Sequence, residues 1–438
     1  MSSRLLPPRL PPLSAKKSAV LSVLDIGTSK IVCLVAKLNP SEPPSALCGR
    51  THSCRILGIG HQRSRGIKGG VVVDMDAAEA AIRFAVDAAE RMAGVQIESV
   101  IVNATGGRLA SKLYGAKTPV AGRAVTQADV HRVLEACTAS GTQPGRAVLH
   151  SLPIAFSLGE TRHIQDPRGM VGDVLCTEMN LLSCDGAAAR NLLLSVERCH
   201  LSVDAIVATP YASALSSFAD DEAELGTVLI DMGAGTTSVS VFSGGHLAHV
   251  DSFAVGGHHV TMDVARGLGI TVTDAERLKT LYGACLASVS DESETIAVVP
   301  AGEDCERPSH LPKAQLVSII RPRVEEILEL LRDRLKNAGL LPHAGRRLVL
   351  TGGACQLTGM QAAVKRIVSG QVRIGRPLGI KGLPESAKNP AFAASVGLLI
   401  YPQVSGNEHY RQSRRPALRE AKASGYIGRV GQWLFNSF

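Results

Sequence analysis

Leu24-Asp25-Ile26-Gly27-Thr28-Ser29 and Ile230-Asp231-Met232-Gly233-Ala234-Gly235-Thr236-Thr237 are two copies of one pattern. In each, an apolar strand ends in an aspartate, a glycine turn bearing hydroxyls follows, and a second apolar strand leaves (residues 31–36 and 238–242). Glycine lets such a turn bring backbone N–H groups up to phosphate oxygens with no side chain in the way. Thr28, Ser29, Thr236 and Thr237 add hydroxyl donors. Asp25 and Asp231 have the chemistry to hold a hydrated Mg²⁺, which takes oxygen ligands and keeps several waters. Asp-x-Gly is also a common hairpin turn, so one copy alone decides nothing. Two copies describe two similar halves gripping one phosphorylated ligand.

A third element strengthens that reading. Leu348-Val349-Leu350-Thr351-Gly352-Gly353-Ala354-Cys355 is a strand ending in a glycine pair, followed by a helix-like run over residues 359–367. Ligands in α/β folds sit at the C-terminal ends of strands, and paired glycines permit close approach there.

With 438 residues, 45% hydrophobic and 20% charged, the chain has the material of several packed domains, and no fibrous or disordered class is indicated. The net charge of +8 raises the question of nucleic acid or an anionic surface. Aromatics at 3% do not furnish base-stacking platforms, and the body carries no long Lys/Arg run, so no nucleic-acid partner is expected. The basic excess sits at the ends, including Arg411, Arg414, Arg415, Arg419 and Lys422. Ten cysteines without a C-x-x-C, several inside apolar runs, read as free thiols of a reducing compartment rather than a disulfide or zinc framework. The apolar start is broken by Pro7, Pro8, Pro11 and Pro12, which excludes a continuous signal-peptide helix and reads as a flexible leader.

Along the chain, a helix is predicted over residues 76–93, with Ala80, Phe84, Val86, Ala88 and Met92 near a common apolar face. A small α+β insertion follows over residues 104–180, its helix opened by the capping box Thr126-Gln127-Ala128-Asp129. After Gly256-Gly257 a charged helical region runs to about residue 343. In it Glu276 and Lys279 lie one turn apart: either an ordinary surface ion pair, or a carboxylate and an ammonium placed for ribose hydroxyls and phosphate. The long helix over residues 315–337 carries Pro322, which should kink or break it. Residues 403–424 have linker composition. In the last segment, Tyr426, Ile427, Val430, Trp433, Leu434 and Phe438 fall on one helical face, with Phe435 beside them. That is the composition of a helix lying in an anionic membrane interface.

The order of the motifs is that of the actin, heat-shock-70 and hexokinase superfamily. In detail the chain resembles the FtsA family of bacterial cell-division proteins. The resemblance rests on residues 23–30, Arg65-Gly66-Ile67-Lys68-Gly69-Gly70, Val196-Glu197-Arg198-Cys199, residues 231–237, Thr273-Asp274-Ala275-Glu276, Arg321-Pro322-Arg323, residues 350–354 and the amphipathic end. It implies an actin-like two-lobed ATPase fold with a small inserted α+β domain and a C-terminal amphipathic helix. The expected parts are a leader (1–19), a first core (20–103 and 181–203), the insertion (104–180), a second core (204–255 and 345–400), a helical subdomain (256–344), a basic linker (401–424) and the membrane helix (425–438). ATP would be bound by Gly27, Thr28, Ser29, Lys30, Gly233, Ala234, Gly235, Thr236, Thr237, Glu276, Lys279, Gly352, Gly353 and Ala354, with Mg²⁺ held through water by Asp25 and Asp231. Arg323 and Glu326, expected to be exposed, would meet the C-terminal peptide of the tubulin-like FtsZ. The protein would self-associate and recruit later division proteins at the cytoplasmic face of the inner membrane.

Heat-shock-70 relatives carry an Asn-Glu-Pro-Thr element whose glutamate positions water. The similar place here reads Ala208-Thr209-Pro210-Tyr211, and threonine is no general base at neutral pH, so slow ATP turnover is expected. The rival readings are an actin-superfamily phosphotransferase, for which no catalytic aspartate can be placed, and a pilus-assembly-type ATP-binding scaffold.

Overall fold

The computed structural model describes residues 10, 13–14, 16–40, 50–106, 108–301, 309–344 and 347–409. The expected membrane residues Tyr426, Ile427, Val430, Trp433, Leu434, Phe435 and Phe438 lie outside the described residues.

The first sheet has six strands in the order Ser202–Ala208, Ser99–Ala104, Ala19–Ile26, Lys30–Pro40, His52–Arg63 and Ile380–Lys381. Ala19–Ile26 and Lys30–Pro40 form the first hairpin, in register from Ala19↔Leu38 to Ile26↔Ile31. Successive side chains of a strand point to opposite faces. Val23 and Leu24 are both fully buried, so both faces are covered. Helix Met75–Ala93 packs on this sheet through Ala78, Ala81, Ile82, Ala85, Val86 and Ala89. Its face differs from the expected one: Phe84 and Met92 are 63% and 57% exposed. The reason is the close approach of the backbones. A Cβ on Gly60 would lie 1.7 Å from Ala85 O, and one on Gly58 2.3 Å from Ala89 O, so only small side chains fit the interface.

The second sheet has nine strands in the order Gln371–Ile374, Arg347–Thr351, Thr227–Met232, Thr237–Ser243, His246–Phe253, Ala110–Pro119, Val174–Asp185, Arg146–Leu158 and Thr161–Ile164. The last four strands and helix Gln127–Gly141, which starts at the expected capping box, form the inserted unit. It has its own core, including Val133, Cys137, Leu175 and Met179. It joins the rest of the sheet at the pair Asp251↔Ala110, supported by Asn180 Nδ2 donating to Leu247 O at 2.7 Å and Val250 N donating to Ser111 Oγ at 2.7 Å.

Helices Gly257–Leu268, Val272–Tyr282 and Lys313–Asn337 build the region after the second hairpin. It also holds a ladder, Thr295–Val298 with Ser309–Pro312, that the charged sequence did not announce. Lys313–Asn337 is one helix despite Pro322. The carbonyl that Pro322 cannot bond belongs to Ser318, an exposed residue, and the buried stripe of Leu316, Ile320, Val324 and Ile327 continues past it.

The chain crosses between the sheets at places other than those expected. Ser202–Ala208 pairs with Ser99–Ala104, so the first core extends past residue 203. Ile380–Lys381 pairs with His52–Arg63, and helix Ala393–Val404 packs on the first sheet, so residues 380–404 return to the first core. Residues 401–409 are not linker, since Tyr401, Glu408 and His409 are buried. Leu10 and Leu13 pack against the first core, so this part of the leader is docked. No helix among the described residues is long and apolar enough to cross a membrane. The described cysteines are free thiols, and burial pushes Cys33, Cys54, Cys285 and Cys355 up to about 12, which keeps them protonated core residues.

Candidate nucleotide site

The two Asp-x-Gly turns close in the same way, Gly27 N donating to Lys30 O at 3.0 Å and Gly233 N to Thr236 O at 2.9 Å. They face each other at contact distance, since a Cβ on Gly235 would lie 2.4 Å from Thr28 Oγ1. The glycine pair of the third motif completes the group. Gly352 has φ +83°, and a Cβ there would lie 2.5 Å from Asp231 Oδ1. Three motifs spread over the chain therefore meet at one point between the sheets.

Helix Gly257–Leu268 starts on the second turn, with Gly257 N bonded to Gly233 O (2.9 Å) and His258 N to Ala234 O (2.8 Å). Lys279 bridges this start: its Nζ donates to Gly257 O (3.1 Å), Thr261 Oγ1 (2.8 Å) and Glu276 Oε2 (2.7 Å). Burial pushes the Glu276 carboxyl up, and the charge and hydrogen bond of Lys279 with the bond from Thr261 outweigh it, holding Glu276 low. The pair is thus more than a surface ion pair, because it is tied to the second turn. Ala354 also belongs here, its Cβ lying 2.9 Å from a Cβ built on Gly257; Gly353 and Ser29 are exposed. Thr28 Oγ1 accepts from Gly70 N at 3.2 Å, which brings the Arg65–Gly70 segment to the site. Thr237 differs from its expected role. It is fully buried and its hydroxyl donates to Val255 O at 2.8 Å, because the strand's alternation turns it into the fold.

Electrostatics concentrate on Asp25, Asp231 and Lys30. Burial raises the Asp25 carboxyl against hydrogen bonds from Ser395 and Asn103 and the charge of Lys30. Burial pushes Asp231 up to about 6, opposed by a hydrogen bond from Ser213. Burial also brings the Lys30 ammonium down to about 8, opposed by both carboxylates. Lys30 Nζ is buried and without a hydrogen-bond partner, 3.4 Å from the Phe392 ring centroid. A desolvated ammonium without an acceptor and two carboxylates lifted by burial form a site short of both an anion and a cation. A phosphate meets the first need. A hydrated Mg²⁺ meets the second, since it binds through one or two carboxylates plus waters and phosphates. Among the described residues there is no group of three or more His, Cys, Asp or Glu that could hold a metal ion.

Two helices support the carboxylates. Helix Thr209–Ser217 sends Ser213 Oγ to Asp231 Oδ2 at 2.5 Å. Its first residue, Thr209, is buried and accepts from Asn103 Nδ2 at 3.2 Å, with Thr105 Oγ1 2.6 Å away. Asn103 Nδ2 also donates to Asp25 Oδ1 (2.7 Å), and its Oδ1 accepts from Ile26 N (2.7 Å). Helix Ala393–Val404 sends Ser395 Oγ to Asp25 Oδ2 at 2.6 Å. Sequence reading missed Asn103, Ser213 and Ser395. Asn103 did have a signal, a polar side chain at the C-terminal end of an apolar strand. The two serines lie in apolar helices and had none.

Arg323 and Glu326 lie away from this cluster on helix Lys313–Asn337. Arg323 is half-buried rather than exposed: its guanidinium grips Asp263 of helix Gly257–Leu268 (Nε 2.5 Å, Nη2 3.2 Å) and also meets Glu326 (2.5 Å). Glu326 is exposed.

Comparison with known proteins gives the same family twice. The profile of the cell division protein FtsA matches residues 228–397, and that of the SHS2 domain inserted in FtsA matches residues 106–183. The chain is 50% identical over 432 residues to the cell division protein FtsA of Agrobacterium fabrum, covering 98% of both chains. It is 32% identical over 424 residues to that of Escherichia coli, covering 95% of this chain and 97% of the other. Among solved structures, that of the PilM–PilN type IV pilus biogenesis complex aligns with TM-score 0.60 at 16% identity, covering 87% of this chain and 98% of that one. MreB5 of Spiroplasma citri bound to ADP aligns with TM-score 0.51 at 14% identity, covering 90% and 99%. At such identities the likeness shows the fold, which is actin-like with an inserted domain.

Proposed function

Because the chain belongs to the FtsA family of cell division proteins, we propose that it binds ATP with Mg²⁺ between its two sheets and works as a membrane-bound scaffold of the division machinery. In this reading it polymerises, holds FtsZ filaments at the cytoplasmic face of the inner membrane and recruits later division proteins. The observation that carries the nucleotide part is the buried Lys30 ammonium, without a hydrogen-bond acceptor and under the charge of Asp25 and Asp231, at the junction of three glycine motifs. Lys30 and the turn amides bind phosphate oxygens; Gly27, Thr28, Ser29, Gly233, Ala234, Gly235, Thr236, Gly352, Gly353 and Ala354 shape the cradle. Asp25 and Asp231 orient the waters of Mg²⁺, which when bound supplies charge neutralisation for the phosphates. Glu276 and Lys279 meet the ribose side.

Thr209 supports a structural rather than a catalytic use of ATP. Its hydroxyl is engaged with Asn103 and Thr105, and no carboxylate stands in its place to accept a proton from water. The Arg323–Glu326 surface takes the FtsZ C-terminal peptide, and residues 425–438 bind anionic lipid.

The deciding experiment is co-sedimentation of FtsZ with anionic liposomes, using the full chain and a version ending at Ser424. Recruitment by the full chain alone supports the scaffold. Recruitment that persists unchanged without residues 425–438 refutes the tether.

A further inference from the structure

The end of the described chain folds back beneath the nucleotide site. Helix Ala393–Val404 runs into a 3₁₀ turn, Ser405–Asn407, after which Glu408 and His409 lie against the inserted unit. His409 N donates to Ser151 O at 2.9 Å. The side chains of Glu408 and His150 are wholly buried and paired, Nδ1 to Oε1 at 2.9 Å and to Oε2 at 3.1 Å. The other ring nitrogen of His150, Nε2, accepts the N–H of Ala208 at 2.9 Å. That places the imidazole proton on Nδ1, donated to Glu408. Tyr211 and Tyr401 hold the ring edge-on, with centroids at 5.1 Å and 5.7 Å.

The position of this relay gives it meaning. Ala208 directly precedes helix Thr209–Ser217, which reaches the Asp25 network through Thr209 and Asp231 through Ser213. Glu408 directly follows helix Ala393–Val404 and its turn, and that helix reaches Asp25 through Ser395. The two helices touch backbone to backbone, since a Cβ on Gly397 would lie 1.7 Å from Ala212 O. The relay therefore ties the start of one supporting helix to the end of the other. A buried hydrogen bond of this kind contributes only modest net stability. What an acceptor–imidazole–amide chain adds is a fixed direction for each group.

We infer that Glu408 and His150 are positioning residues of the nucleotide site, holding the two carboxylate-bearing hydrogen bonds, Ser395 to Asp25 and Ser213 to Asp231, in one relative placement. The inference rests on the nucleotide reading above.

The test compares the full chain with Glu408→Gln and Glu408→Ala, reading Mg²⁺·ATP affinity and amide exchange of residues 208–213. Glutamine keeps an oxygen to accept from Nδ1–H, so Glu408→Gln binds ATP within about twofold of the unsubstituted chain. Alanine leaves the imidazole N–H unmatched, a loss of about tenfold in affinity with faster exchange at Ala208 and Ser213. Should Glu408→Ala not fold, Glu408→Asp replaces it, its shortened carboxylate expected to show the same loss. Unchanged affinity and exchange in the alanine or aspartate variant overturns the inference, as does equal impairment of the glutamine variant. An unsubstituted chain that does not bind Mg²⁺·ATP refutes the nucleotide reading instead, and the exchange measurement still judges the relay.

Discussion

Asp231→Asn should make the ligand-free protein more stable and the ligand-bound protein less so. Burial lifts Asp231 from 3.8 to about 6. At 1.36 kcal/mol per pH unit, holding it ionised at neutral pH costs the ligand-free fold about 3 kcal/mol. Asparagine removes that charge, keeps an oxygen for the Ser213 hydroxyl and adds an amide donor whose imperfect pairing returns about 1 kcal/mol. A net gain of about 2 kcal/mol at pH 7.5 is expected from urea unfolding followed by circular dichroism. The pH dependence has a definite sign. The folded pKa lies above the unfolded one, so the folded state of the unsubstituted chain takes up a proton first as pH falls. Its stability therefore rises between about 6 and 4, and its deficit against Asp231→Asn closes over that window. Saturating Mg²⁺·ATP reverses the order, because a ligand at a hundred times its Kd adds about 2.7 kcal/mol to the chain that binds it. A ligand-free variant less stable than the unsubstituted chain at pH 7.5, or a gap that does not narrow on acidification, refutes the reasoning.

Three other outcomes are expected. Gly397→Ala drives a methyl into the Ala212 carbonyl and should cost about 3 kcal/mol, read as a fall in urea midpoint; an unchanged midpoint would show that the two helices separate easily. Glu326→Ala should leave the melting temperature within a degree or two while weakening FtsZ-peptide binding in a fluorescence titration, whereas Arg323→Ala should lose both, since it also releases Asp263. Chelating Mg²⁺ should weaken ATP binding by about tenfold or more, the order expected when two raised carboxylates lose their cation, and calorimetry that shows no change contradicts the assigned role of Asp25 and Asp231.

What could be read from the sequence was whatever local chemistry dictates. The Asp-x-Gly turns, the Thr126 capping box and the apolar strands carry their geometry in a few adjacent residues, so their meeting point could be expected. Contacts set by distant chain segments could not. Phe84 and Met92 fit a helical stripe as well as the alanines do, and only the backbone approach at Gly58 and Gly60 decides which face is buried. Thr237 matches the motif yet serves the fold, because strand alternation and not composition aims its hydroxyl. Ser213, Ser395 and Glu408 sit in stretches whose composition reads as core helix or linker, and their roles arise from partners up to 370 positions away.

The inserted unit is fastened on two sides. Its strands extend the second sheet through Ala110, Ser111 and Asn180, while His150 grips Ala208 of the first sheet and Glu408 behind it. It is therefore tied to both sheets rather than hung from one. Separating the two sheets would have to break hydrogen bonds at one attachment or the other.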